Sequence, residues 1–358
     1  MAQIDVLLKK MSEVGASDLH LSAGEPVRMR VDGELRRFAE KPLDPEKLAG
    51  LMQEICREDQ WRAYSGSHEL DFAYGVPGVG RFRCNYLRQQ RGPGAVFRIL
   101  PEEIQSLEEL LMPPVVLDLP RLRSGLVLVT GPTGSGKSTT LAAIIDRINR
   151  AATRHIVTIE DPIEFVHRDI KSHIVQREVG LHSQSFSAAL RDALLQDPDV
   201  VLVGELRDLE TISLAVTAAE MGVLILGTLH TNSAAKTFDR IIDVFPALQK
   251  DQIRGMLAES LRAIVAQTLL KLAGKPGRVA AVEVLLGGPA LGAIIREGNA
   301  SKILSYIESG HGRGMQSMDE ALVDLVQRGA VDVREAYLKC HDKTRFEAWA
   351  AKQGLVLE

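Results

Sequence analysis

Leu126-Val127-Leu128-Val129-Thr130 runs directly into Gly131-Pro132-Thr133-Gly134-Ser135-Gly136-Lys137-Ser138-Thr139. Five strand-prone residues enter a glycine-rich turn, and beyond it Leu141 to Ile148 place apolar residues at helical spacing. The pattern G-x-x-x-x-G-K-[ST] is therefore flanked by the strand and the helix that give it a mechanism. Gly131, Gly134 and Gly136 let the backbone turn with its N–H groups inward, where a side chain would block phosphate oxygens. The helix that follows adds its positive N-terminal end. A turn that merely carries a surface lysine is the alternative, and strand and helix together argue against it. This reading assigns ATP to Gly131, Pro132, Thr133, Gly134, Ser135, Gly136, Lys137, Ser138 and Thr139. Lys137 reaches the β- and γ-phosphates, and the Ser138 hydroxyl ligates Mg²⁺.

Downstream, strands alternate with helices, the pattern of a mostly parallel sheet. Ile156-Val157-Thr158-Ile159 is a strand that ends in Glu160-Asp161-Pro162-Ile163-Glu164. Its carboxylates sit beside the phosphate loop if the two strands are neighbours; Asp-Pro is also compatible with a polar turn. Ser185–Gln196 reads as a helix stopped by Asp197-Pro198-Asp199. Val200-Val201-Leu202-Val203 then delivers Gly204-Glu205, an apolar strand bringing an acid to magnesium. Gly204 stands where an aspartate is usual, so Glu205 acts alone, holding the metal through water. A helix from Asp208 to Met221 closes at Gly222, and Leu224-Ile225-Leu226 leads to Gly227-Thr228-Leu229-His230-Thr231-Asn232. A lone histidine is more often structural, but His230 ends a buried strand between hydroxyl-bearing neighbours and can aim a ring N–H at a γ-phosphate. Lys250–Leu272 reads as one long helix striped by Ile253, Leu257, Leu261, Ile264 and Val265. Val279 to Ile295 reads as a strand, a turn and a helix start.

Upstream, residues 1–100 read as a separate small α/β domain. Ile4 to Val14 has helical spacing and Gly15 ends that helix. Strands are expected at Leu19–Leu21, Val27–Val31, Glu34–Phe38, Leu70–Tyr74, Gly80–Leu87 and Ala95–Leu100, with a turn at Asp32-Gly33 and a helix around Glu46–Cys56. Residues 101–120 carry Pro101, Pro113, Pro114 and Pro120 and read as a linker, leaving 121–358 as the large domain.

Composition narrows the choices. A chain of 358 residues, 45% hydrophobic, can fill two or three cores. A net charge of -4 and 4% aromatics give no reason to expect nucleic acid or stacking platforms for single strands. Cys56, Cys84 and Cys340 are scattered, so neither a disulfide framework nor a zinc site is expected. The start Met1-Ala2-Gln3-Ile4-Asp5 has no signal-peptide character, and work at a membrane would be by docking from the cytoplasmic side.

Several stretches resemble the secretion ATPases of bacterial type II secretion and type IV pili. They are Ala16-Ser17-Asp18-Leu19-His20-Leu21, Thr158 to Phe165, Asp197 to Asp208, and Thr228 to Thr237. Arg91 to Arg98, Asp239 to Pro246 and Gly314 to Asp319 resemble, within that family, the pilus retraction ATPases. The resemblance spans nearly the whole chain. It implies an α/β fold class: a PAS-like N-terminal α/β domain plus a RecA-like P-loop ATPase domain with a helical C-terminal part. It implies a homohexamer that drives pilus retraction from the cytoplasmic face of the inner membrane, against a membrane platform protein, with a second retraction ATPase as a further partner. Glu160, Asp161 and Glu164 would form the family's acidic box, Glu205 its Walker B acid and His230 its histidine box. Arg81 and Arg83, from Gly80-Arg81-Phe82-Arg83, would reach the nucleotide, with Arg98 and Arg207 as weaker candidates. Glu164 is the candidate general base and Glu205 the metal acid; the two roles could be exchanged. Two places depart from the family. Ala290-Leu291-Gly292-Ala293-Ile294-Ile295-Arg296-Glu297 stands where the family reads A-I-R-N-L-I-R-E, and Leu195-Gln196 stands where Arg-Glu is common. Two other readings compete with the motor: an accessory nucleotide-binding subunit acting through another motor, and a nucleic-acid motor.

Overall fold

The computed structural model describes residues 2–31 and 33–357. The chain divides into two compact units, Met1–Glu103 with Asp161–Val166, and Ile104–Glu160 with His167–Glu358.

In the first unit, helix α1 (Gln3–Glu13) buries Ile4, Leu8 and Met11 on one stripe, and Gly15 reverses the chain at φ 66°. Strands β1 (Asp18–Ser22), β2 (Pro26–Val31) and β3 (Glu34–Pro42) follow, then α2 (Pro45–Gln53), α3 (Glu58–Ser67), β4 (Glu69–Val76), β5 (Gly80–Gln89) and β6 (Gly92–Leu100). They form one antiparallel sheet in the order β3-β2-β1-β6-β5-β4. Alternation along β5 sends Phe82, Cys84 and Tyr86 into the core and leaves Arg81 and Arg83 together on the other face. Tyr86 meets Phe72 and Phe97 edge-to-face, the geometry that ring quadrupoles favour. The helix expected around Glu46–Cys56 stops at Gln53, and α3 was not expected. It is polar and buries only Tyr64, so it has almost no apolar period to read. Asp32 of the expected Asp32-Gly33 turn lies outside the described residues.

The second unit begins with α4 (Pro114–Asp118), β7 (Gly125–Thr130), α5 (Lys137–Ala151), β8 (His155–Glu160), β9 (His173–Glu178), α6 (Phe186–Ala193) and β10 (Val200–Val203). It continues with α7 (Leu209–Glu220), β11 (Leu224–Leu229), α8 (Ala234–Asp243), α9 (Lys250–Ser260), β12 (Leu261–Lys271), β13 (Arg278–Leu286), α10 (Pro289–Glu297) and α11 (Ile303–Glu308). Helices α12 (Met318–Gln327), α13 (Val333–Lys339) and α14 (Lys343–Lys352) close the unit. The sheet order is β13-β12-β7-β11-β10-β8-β9, parallel except for the β12–β13 pair. Its central strands are buried on both faces. Along β7, Leu126 and Leu128 join one core and Val127 and Val129 the other, as a period of two requires.

Two expectations are corrected. Lys250–Leu272 is not one helix: α9 ends at Ser260, and the chain enters β12 at Leu261 without a turn. Leu261, Ala263, Ile264, Val265 and Ala266 are buried where β12 lies between β7 and β13, so the sheet sets the backbone there and the helical stripe ends with Leu257. Residues 101–120 are not a free tether. Leu107, Met112, Val116 and Leu119 pack into the core under α5, so the prolines mark bends in a packed segment. Strand β9 and helix α8 were not read from the sequence at all.

Candidate active site

The parallel strands point their carboxyl ends in one direction, and the chemistry-bearing residues stand at those ends. β7 opens into the 131–136 loop, its neighbour β11 into His230, and the next strand, β10, into Gly204-Glu205. β8 lies one place further on. It is separated from β7 by β11 and β10, so the neighbouring placement that would set its acids beside the loop is not met.

Gly131 has φ 147°, and a Cβ there would stand 2.3 Å from the Gln267 carbonyl oxygen and 2.4 Å from Ser135 Oγ. Only glycine fits. Gly136, at φ 89°, begins the helix in a left-handed conformation and faces the Gln267 amide. The Ser135 hydroxyl is buried and without a hydrogen-bond partner among the described residues. The Lys137 ammonium is folded over the loop, donating to Gly131 O at 2.8 Å and Pro132 O at 3.1 Å. It also lies 3.5 Å from Nδ1 of His230.

His230 carries the connection onward, with Nε2 3.3 Å from Glu205. An ammonium on one side and a carboxylate on the other make Nδ1 the acceptor and Nε2 the donor. Arg207 holds the other Glu205 oxygen at 2.6 Å. Burial pushes the Glu205 carboxyl up, but the Arg207 hydrogen bond and the attraction of His230 outweigh it, and the group sits below its ordinary value. The chain after β10 is laced to β11: Leu206 N donates to Thr228 O at 3.0 Å and Thr228 Oγ1 to Gly204 O at 2.5 Å. A Cβ on Gly204 would meet the Ile159 carbonyl at 3.1 Å, a physical reason for the missing aspartate.

The other sequence candidates have their own surroundings. Glu160 accepts from Thr158 at 2.7 Å and Gln176 at 3.2 Å within its own unit. Asp161 and Glu164 belong to the N-terminal unit, where Glu164 lies 3.6 Å from Arg83. Asp71 grips Arg83 from the other side, accepting from Nε at 3.1 Å and from the terminal nitrogen at 2.7 Å. That bond, chiefly, raises the guanidinium pKa. Arg81 has one buried terminal nitrogen without a hydrogen-bond partner among the described residues. Arg98 is committed to buried Asp18, which accepts from its Nε at 2.8 Å.

One residue escaped the sequence reading. Helical periodicity puts Gln267 inside the expected Lys250–Leu272 helix. It is instead a buried amide on β12 that donates to Ser135 O at 2.6 Å and accepts from Thr140 Oγ1 at 3.0 Å. Once the stretch is read as a strand, a single amide in an apolar run is the signal.

A glycine-rich loop, a lysine over it, an exposed serine at the first helical turn and an ionised carboxylate at the end of β10, two strands away, form a donor set suited to a metal-bound polyphosphate. The chain matches the family model of type II/IV secretion system proteins over residues 1–336. It is 52% identical over 336 residues to the type IV pilus retraction ATPase PilT of Pseudomonas aeruginosa, covering 93% of this chain and 96% of that one. It is 50% identical over 303 residues to a twitching motility protein of Neisseria gonorrhoeae, covering 85% and 81%. A crystal structure of the pilus retraction motor PilT with bound ADP superposes with a TM-score of 0.88 at 42% identity, covering 97% of this chain and 99% of that one. The fold agrees with the superposed motor, and the chain belongs to the type II/IV secretion system protein family.

Proposed function

We propose that this protein is an ATP-hydrolysing motor that retracts a type IV pilus. The observation that carries the reading is the connected row of Lys137, His230 and Glu205 at three adjacent strand ends, over a phosphate-binding loop. The related motor with bound ADP and the high identity to a retraction ATPase support it.

In this reading the backbone amides of 131–136 bind the β- and γ-phosphates and Lys137 places a point charge on them. Ser138 and Glu205 would hold Mg²⁺, Glu205 through water. When bound, that ion neutralises charge on the phosphate oxygens. His230, already donating toward Glu205, turns its ring N–H to the γ-phosphate. Glu164 acts as general base for the attacking water. Arg81 and Arg83 of the N-terminal unit offer guanidinium charge to the transferring phosphoryl group, Arg83 leaving its Asp71 and Glu164 partners to do so. Six copies form a ring on the cytoplasmic face of the inner membrane, acting on the pilus platform protein beside a second retraction ATPase. Among the described residues no helix is long and apolar enough to cross a membrane. Steady-state hydrolysis by the purified full chain tests the core of this reading. Mg²⁺-dependent release of phosphate from ATP is expected, and a protein that binds ATP without turning it over would be an accessory subunit instead.

A further inference from the structure

We infer that Gln267 is a positioning residue for nucleotide binding, acting through the phosphate loop rather than on the nucleotide. The inference rests on the reading of 131–139 as that loop. Gln267 is 1% exposed and sits on β12, the strand beside β7. Its amide N–H donates to Ser135 O at 2.6 Å while its amide oxygen accepts from Thr140 Oγ1 at 3.0 Å. One side chain therefore joins the last turn of the loop to the first turn of α5. Its own backbone carbonyl oxygen lies 2.3 Å from where a Cβ on Gly131 would stand, so Gln267 also bounds the first residue of the loop.

The consequence follows from the rigidity of the peptide unit. The Ser135 carbonyl and the Gly136 N–H belong to one trans peptide and point in opposite directions. Holding the carbonyl toward Gln267 turns the Gly136 N–H away from β12 and fixes it there. Gly136, at φ 89°, leaves that peptide able to flip, because glycine tolerates either sign of φ. The buried amide selects one orientation before nucleotide arrives. Preorganisation of this kind lowers the ordering cost of binding. It acts equally on ground state and transition state, so affinity changes more than turnover.

The test compares the full chain with Gln267→Met, which keeps volume and removes both hydrogen bonds, and with Thr140→Val, which removes one. ADP and ATP dissociation constants are measured directly, with KM, kcat and thermal unfolding in parallel. Gln267→Met is expected to weaken ADP and ATP binding about tenfold and raise KM alike, with kcat within about twofold of wild type. Thr140→Val should move the same way by about threefold, and the double variant should be no weaker than Gln267→Met alone. If Gln267→Met fails to fold, Thr140→Val carries the test. Dissociation constants within twofold of wild type, or a fall in kcat at unchanged KM, would overturn the inference. Failure of the wild-type chain to bind nucleotide would instead overturn the reading of the loop.

Discussion

At the scale of single residues, the site's polar groups are engaged with one another. Lys137 holds loop carbonyls and His230, and Glu205 is shared by His230 and Arg207. Lys137→Ala removes the point charge on the phosphates while leaving the fold, because the side chain lies over a surface loop. It should abolish hydrolysis with an unchanged unfolding temperature; a rate within twofold of wild type would contradict the loop assignment. Glu205→Gln keeps shape and removes charge. Hydrolysis should fall by at least ~10²-fold while ATP still binds, since backbone amides do most of the holding. Asp18, in the Ala16–Leu21 stretch, has a structural part. Burial raises its pKa, but hydrogen bonds from Ser17 and Arg98 overcome that and hold it below the usual 3.8. A depressed folded pKa means stability that is present above the unfolded value and lost as pH falls through the folded one. Asp18→Asn should therefore lower the unfolding temperature at neutral pH, by an amount that shrinks once pH drops below about 4. A difference independent of pH would contradict the ionic account.

At the scale of elements, the β7–loop–α5 unit was legible because each of its parts repeats one signal: an apolar run, glycines at fixed offsets, then a helical stripe. The strand ends at Glu160, Glu205 and His230 were legible for the same reason. Their adjacency was not, because strand order depends on contacts distant in sequence. The α9–β12 junction was lost because Leu257 and Leu261 continue a helical stripe across a change of backbone that only β7 and β13 impose, and Gln267 was lost with it. In α10, Leu291 and Ile295 are buried, and Gly292 packs so closely on α9 that a Cβ would meet the Ala258 carbonyl at 3.2 Å. Gly292 stands where the family's helix has arginine, so this helix is seated by close backbone contact. Ile295→Ala should cost ~2–5 kcal/mol by opening a cavity, read in denaturant unfolding. Arg296, half exposed and paired with Glu259 at 3.2 Å, separates packing from coupling. Arg296→Ala should leave stability within about 0.5 kcal/mol, spare hydrolysis and slow retraction. Normal twitching in that variant would leave α10 a packing element only.

At the scale of the whole molecule, the N-terminal unit includes the 161–166 segment that the sequence assigns to the ATPase domain. Deleting the first hundred residues would strip Ile163 and Phe165 of the unit to which they belong, so point substitutions are the cleaner test. Arg81→Ala and Arg83→Ala should each retain ATP binding and lose hydrolysis. Full turnover in both would restrict these arginines to the face of their sheet. The central claim is that hydrolysis at this loop does mechanical work on a pilus. It is tested most directly by counting surface pili and recording retraction events in cells whose only copy of this chain carries Glu205→Gln. The account predicts surplus pili that extend and do not retract. Pili retracting at the wild-type rate would contradict it.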